Sequence, residues 1–204
     1  MIEKIKTNWW FILIIFLIAF GVRIYDLNAA GQTWDELPYY DGGKEYVRNL
    51  YHLDFNPDHW GKNFEHPPVA KWIYGIASIP TYKNFQGDQF SYGRLASACM
   101  GALTIIIVYF FVLELFKSKK IAILSALILC FLPTFIAHNK VMGLETPSAL
   151  FYTWAVYWFY IGLTRKRNFL LLSSIPAGLA IGTRFNNGHI IFSVSYTHLT
   201  LPTN

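Results

Sequence analysis

Five stretches of the chain contain no Lys, Arg, Asp or Glu: 9–22, 95–113, 121–137, 146–164 and 169–183. A helix needs about 17 to 25 mostly apolar residues to cross the hydrocarbon core of a bilayer. Three runs meet that length, and the first and last fall a little short. The pattern predicts an all-α protein, a polytopic transmembrane helical bundle of five spans. In the second span, Ala96, Ser97, Ala98, Gly101 and Ala102 are expected to form the face of closest helix packing. Between the first two runs lies a polar segment, 26–93, of 68 residues. Connections are usually about 4 to 6 residues long, so one of this length carries structure or function of its own. Within it, Tyr40, Gly43, Tyr46, Val47, Leu50 and Tyr51 recur near the helical period and predict an amphipathic helix over 37–53. Trp72, Ile73, Tyr74 and Ile76, after Pro67-Pro68, predict a second short helix lying along the membrane interface.

Composition agrees with this pattern. Charged residues make up 14% of the 204 and hydrophobic ones 54%, against about 25% charged in a soluble domain. Soluble globular, disordered and disulfide-stapled classes are excluded. Cys99 and Cys130 both lie inside apolar runs and read as packing residues. The net charge of +5 does not form a nucleic-acid patch, because it falls in alternate connections. Lys4 and Lys6 precede the first run, Lys117, Lys119 and Lys120 follow the second, and Arg165, Lys166 and Arg167 follow the fourth. By the positive-inside rule these are cytoplasmic, which places the N-terminus inside and 26–93 and 138–145 outside. Val22, Arg23, Ile24 and Tyr25 after Gly21 offer no small-residue cleavage site, so the first run reads as a retained span.

Nine of the twelve acidic residues fall in 26–93. Asp35-Glu36, soon after the first span, is a candidate catalytic pair, since a partly desolvated carboxylate can act as a general base. A solvated pair or a helix N-cap is the plain alternative. His66-Pro67-Pro68-Val69-Ala70-Lys71 holds a cation behind a rigid turn, suited either to a phosphate or to snorkelling. Arg94 and Arg184 stand at outward span ends, where they would pair with a carboxylate or bind an anionic substrate. Glu145, beside Pro147, is either a second carboxylate facing Asp35 or a favourable charge at a helix N-terminus. His52, His59 and His66 recur every seven residues, but Pro57 and Pro67 keep one helix from aligning them as metal ligands. No glycine-rich phosphate loop is present.

The order Thr33-Trp34-Asp35-Glu36, Glu65-His66-Pro67-Pro68-Val69-Ala70-Lys71, Tyr92-Gly93-Arg94-Leu95 and Glu145-Thr146-Pro147 resembles the start of a C-type membrane glycosyltransferase. It is most similar to the dolichyl-phosphate-mannose–protein mannosyltransferases (glycosyltransferase family 39) and their aminoarabinose-transferring relatives, over about residues 5–190. The resemblance implies transfer of a hexosyl or pentosyl group from a polyprenyl-phosphate donor to an acceptor protein, lipid or glycan, with inversion. It further implies Asp35 as the base, Glu36 as its neighbour in substrate contact, and His66, Lys71, Arg94, Glu145 and Arg184 as substrate-binding residues. No cofactor is required, although a divalent cation at Glu145 stays open. The setting implied is multi-pass in a prokaryotic plasma (inner) membrane, in contact with lipid.

Residues 1–193 are expected to form the N-terminal part of the transferase domain. Residues 194–204 break the membrane pattern and read as a non-native tail, so His198 is not proposed as a ligand. A transporter or flippase fragment is the alternative class. It would show broken spans or midmembrane charge, and the interruptions at Pro133 and Pro176 read as modest. A non-catalytic assembly subunit is a third.

Overall fold

The apolar run at 95–113 lies within a 26-residue helix, α4 (Ser91–Phe116), about 39 Å long at 1.5 Å per residue. The computed structural model describes residues 9–29, 31–83 and 86–190. The expected tail at 194–204, with His198, and Lys4 and Lys6 lie outside the described residues. Among the described residues every regular element is helical.

Around α4 pack α1 (Trp9–Ile24), α3 (Val69–Ala77), α5 (Lys119–Phe131), α6 (Pro133–Asn139) and α7 (Glu145–Thr164). The remaining helices are α2 (Glu36–Tyr51), α8 (Asn168–Leu172) and α9 (Ser174–Ile181). The all-helical class expected from the sequence is observed. Of the five expected crossings, helix length and apolarity support one, α4, or two if α5 and α6 together form a bent span. α1 and the stretch 168–181 are apolar but shorter.

The break between α5 and α6 bends the chain by 63°. Leu132 is extended there, as a residue before proline prefers, and Pro133 supplies no N–H to continue the α5 ladder. The interruption is therefore sharp rather than modest. The carbonyls it frees need donors. The buried Arg23 guanidinium supplies one to Cys130 O (3.4 Å), donates to Ala19 O (2.9 Å) and reaches Asn139 Oδ1 (2.7 Å). Arg23 and Asn139 cross α4 at Gly101, where a Cβ would meet Arg23 Nε at 2.9 Å. Ser97, Ala98, Gly101 and Ala102 are buried, as expected, and Ala96 is half-buried.

Two apolar clusters fill the fold. One joins α1, α4 and α5 through Ala19, Ile105, Tyr109 and Ala126. The other seats α2 and α3 on α4, α7 and α9 through Tyr39, Tyr74, Met142 and Phe151. At one end of the bundle Glu114 accepts from Lys117 and from Arg165 Nε (2.7 Å), which gathers the two basic connections. At the other end Glu36 on α2 accepts from the Met142 N–H (3.2 Å), which joins segment 26–93 to the 138–145 connection.

Candidate active site

The local sequence Thr33-Trp34-Asp35-Glu36 opens α2. Glu36 Oε2 reaches back to accept the Thr33 N–H at 2.9 Å, which closes the turn leading into the helix. Both Glu36 oxygens then meet Arg94, with Nε to Oε1 and Nη2 to Oε2 each at 2.7 Å. Arg94 also donates from Nη1 to Asp88 Oδ2 (3.0 Å) and Asn28 Oδ1 (3.1 Å), and from Nη2 to Gly31 O (2.5 Å). All five guanidinium N–H groups are thus used. Both side chains are essentially inaccessible. Burial on its own would raise the Glu36 pKa, but the bonds from Arg94, Thr33 and Met142 outweigh it and hold the carboxyl below its ordinary range. Of the two roles open to Arg94, the structure places it in a carboxylate pair. The substrate contacts implied for Glu36 and Arg94 do not fit these positions, since each is buried under the other.

Asp35, one residue earlier, has the opposite surroundings. It occupies the N-cap position of α2 but its side chain makes no capping bond, and it is exposed. Beside it on the helix is Tyr39, buried, whose hydroxyl reports what surrounds it. Its pKa is pushed up to about 12, by burial first, then by the charges of Asp35 and Glu145; Arg184 opposes the rise and Glu65 adds to it. The charges of four groups from four parts of the chain thus act on this one hydroxyl. Arg184 Nη1 stands 3.5 Å from Glu145 Oε1, and both are partly exposed. The His66 ring lies 6.2 Å from the Tyr39 ring. The Val69 N–H donates to Gly182 O at 2.9 Å, which fastens the His66-Pro67-Pro68 turn to the Arg184 turn. Tyr39 is the common neighbour of these groups: the charges of Asp35, Glu145 and Arg184 act on its hydroxyl, and the His66 ring lies near its own.

Lys71 is not among them. Its ammonium is buried, donates to the backbone oxygens of Asn63 and His66 (the latter at 2.8 Å), and lies 5.3 Å over the Tyr46 ring. With no carboxylate at hand, burial pushes its pKa down. The implied phosphate contact does not suit so enclosed a cation, which instead shapes the loop carrying Glu65 and His66. Tyr39 and Tyr74, which donates to Gly143 O at 2.6 Å, pack in one cluster next to these groups, and no sequence motif marks them. Tyr39 lies four residues after Asp35, one helical turn on, and that spacing was the available signal. Glu65, at the head of the His66-Pro67-Pro68 motif, also bears on the Tyr39 hydroxyl.

Among the described residues, no three His, Cys, Asp or Glu side chains gather closely enough to hold a metal ion. The divalent cation left open at Glu145 therefore has no ready set of ligands here. His59 instead pairs with Asp54 at 2.6 Å.

Residues 65–203 match the family described as dolichyl-phosphate-mannose-protein mannosyltransferase. Dolichyl-phosphate-mannose--protein mannosyltransferase 1 of Schizosaccharomyces pombe is 27% identical over 200 residues, 86% of this chain and 21% of its own length. Protein O-mannosyl-transferase 2 of Drosophila pseudoobscura pseudoobscura is 26% identical over 176 residues, 80% of this chain and 22% of its own. An uncharacterized protein of Aquifex aeolicus is 32% identical over 126 residues, 61% of this chain and 24% of its own. The chain thus spans about a fifth to a quarter of the relatives it matches. No solved structure matches it. With two thirds of its length matched by the family's pattern, the chain belongs to the dolichyl-phosphate-mannose–protein mannosyltransferase family.

Proposed function

We propose that the chain is part of an integral membrane glycosyltransferase that moves a sugar from a polyprenyl-phosphate donor to an acceptor hydroxyl or phosphate, inverting the anomeric carbon. The five apolar runs are the crossings, in a prokaryotic plasma membrane. Segment 26–93 lies on the outer face, and the N-terminus is cytoplasmic. One observation supports the assignment: of two adjacent carboxylates, Glu36 is locked in a buried ion pair while Asp35 is exposed, one helical turn from Tyr39, whose hydroxyl also feels the charges of Glu145 and Arg184.

In the reaction, the acceptor oxygen attacks the anomeric carbon as its proton passes to the Asp35 carboxylate. The bond from that carbon to the phosphate oxygen breaks, and polyprenyl phosphate leaves with the electron pair. Positive charge must meet the departing phosphate. Arg184 is the partly exposed cation at the site, and the His66 ring offers a further N–H donor. Glu145 keeps the Arg184 fork in place until the phosphate competes for it. Glu36, Arg94 and Lys71 act as positioning residues. The relatives' names make mannose the first sugar to test; the acceptor is a protein, a lipid or another glycan.

The test is sugar transfer from a mannosyl polyprenyl phosphate by the full-length protein and its Asp35→Asn variant. Turnover should fall by about 10² or more while thermal unfolding stays unchanged. Undiminished turnover would remove Asp35 as the base. The break at Pro133 and the buried Arg23 are also features a transporter would have. Movement of the lipid across vesicles without any sugar transfer would favour that reading.

A further inference from the structure

A cavity lies on the face of α2 turned away from Tyr39. Lys44, Val47, Arg48, Tyr51 and His52 line it from α2 and its C-cap, and Ile79, Tyr82 and Lys83 from the segment after α3, around a volume of about 380 Å3. By the helical period, Lys44 sits roughly 140° round α2 from Tyr39. Three of the eight lining residues are cations and none is acidic. Lys44 and Arg48 also line an adjoining cleft with Asp41, Glu45 and Lys62, where Glu45 faces Lys62 at 3.5 Å. Asp54 is held by His59 and by the Asn56 N–H at 3.0 Å, and the Arg48 charge favours its ionised form. Lys44, Arg48 and Lys83 are all exposed, and the Lys44 ammonium stands 5.4 Å over the Tyr82 ring.

The flank of this cavity is apolar. Trp72 and Ile76 on α3, then Ile79 just beyond it, recur at helical spacing and stay 38%, 59% and 50% exposed. Lys83 precedes the first residue of α4 by eight positions. A cationic cavity with an aromatic wall and an exposed apolar edge thus stands close to where the long apolar helix begins. A phosphate with hydrocarbon attached matches both halves of that surface. Arg48 offers a planar fork for its oxygens, and the lysines offer point charge.

We propose that this cavity binds the headgroup of an anionic phospholipid, with acyl chains lying against Trp72, Ile76 and Ile79. The site is separate from the donor's phosphate at Arg184, and it rests on α4 crossing a membrane. Each cation near an anionic lipid surface contributes a factor of about five.

Native mass spectrometry of the detergent-purified, full-length protein, offered equal phosphatidylglycerol and phosphatidylcholine, tests it. Phosphatidylglycerol should be retained about fivefold or more over phosphatidylcholine. The combined Lys44→Gln, Arg48→Gln, Lys83→Gln variant should lose that preference without loss of thermal stability. Should the triple variant fold poorly, Lys83→Gln alone should lower the preference by about fivefold. Equal retention of the two lipids, or a preference that survives these substitutions, overturns the proposal. So does displacement of the lipid by an equal concentration of glycerol phosphate, which would assign the cavity to soluble phosphates. Alkaline extraction of membranes tests the crossing of α4 separately from the lipid preference.

Discussion

Asp35 and Glu36 are neighbours of the same chemical type, yet the fold gives them opposite conditions. Glu36 is enclosed by donors from Thr33, Arg94 and Met142. Removing one partner of a buried pair leaves the other charge uncompensated, at a cost of about 3 to 5 kcal/mol. Arg94→Met should therefore destabilise by that amount in thermal unfolding. Arg94→Lys should recover little, because one ammonium cannot replace five N–H donors in a fork. A full-stability Arg94→Met protein would show that the pair does not hold the site. The pair also sets an acid limit. The Glu36 carboxyl is held below its ordinary range, so its contribution is complete above the unfolded value of about 4.3 and is lost as pH falls through the folded value. Thermal stability followed from pH 6 to pH 3 should fall off more steeply below about pH 4 in the wild type than in Glu36→Gln. The pair's residue types were legible in the sequence. Its partnership was not, because Glu36 and Arg94 lie 58 positions apart.

At the scale of elements, α2 and α3 meet backbone to backbone. A Cβ on Gly43 would stand 2.8 Å from Gly75 Cα, and one on Gly75 would press on the Gly43 backbone at 2.6 Å from its carbonyl carbon. Neither obstacle is a side chain that can swing away. Gly75→Ala should push the helices apart and cost about 1 to 3 kcal/mol. Gly61→Ala, in open space, should change stability by no more than about 0.5 kcal/mol. A neutral Gly75→Ala would mean that this crossing is looser than it looks. The amphipathic α2 was predictable, but its buried face is rotated. Glu36, Tyr39, Tyr40, Gly42, Gly43, Tyr46 and Asn49 are inside, while Leu50 and Tyr51, expected there, are exposed. Periodicity weighs apolar bulk, whereas this contact is centred on the glycines that permit close approach.

At the scale of the molecule, the two basic connections meet at Glu114, and the candidate site lies at the end where Glu36 joins the 138–145 connection. If the apolar runs cross a membrane, these ends face opposite sides. A membrane-impermeant maleimide should label Asp58→Cys in intact cells and Lys120→Cys only after permeabilisation. The reverse pattern would invert the proposed orientation. Run length, helical period and motif order are local properties, so the sequence alone determined the helical class, the approximate element boundaries and the family resemblance. Tertiary structure decided which of two adjacent carboxylates is free, which cations are enclosed, how sharply the chain turns at Pro133 and where two helices touch. Each depends on neighbours that other segments bring, and burial, unlike hydrophobicity, is not a property a residue carries by itself.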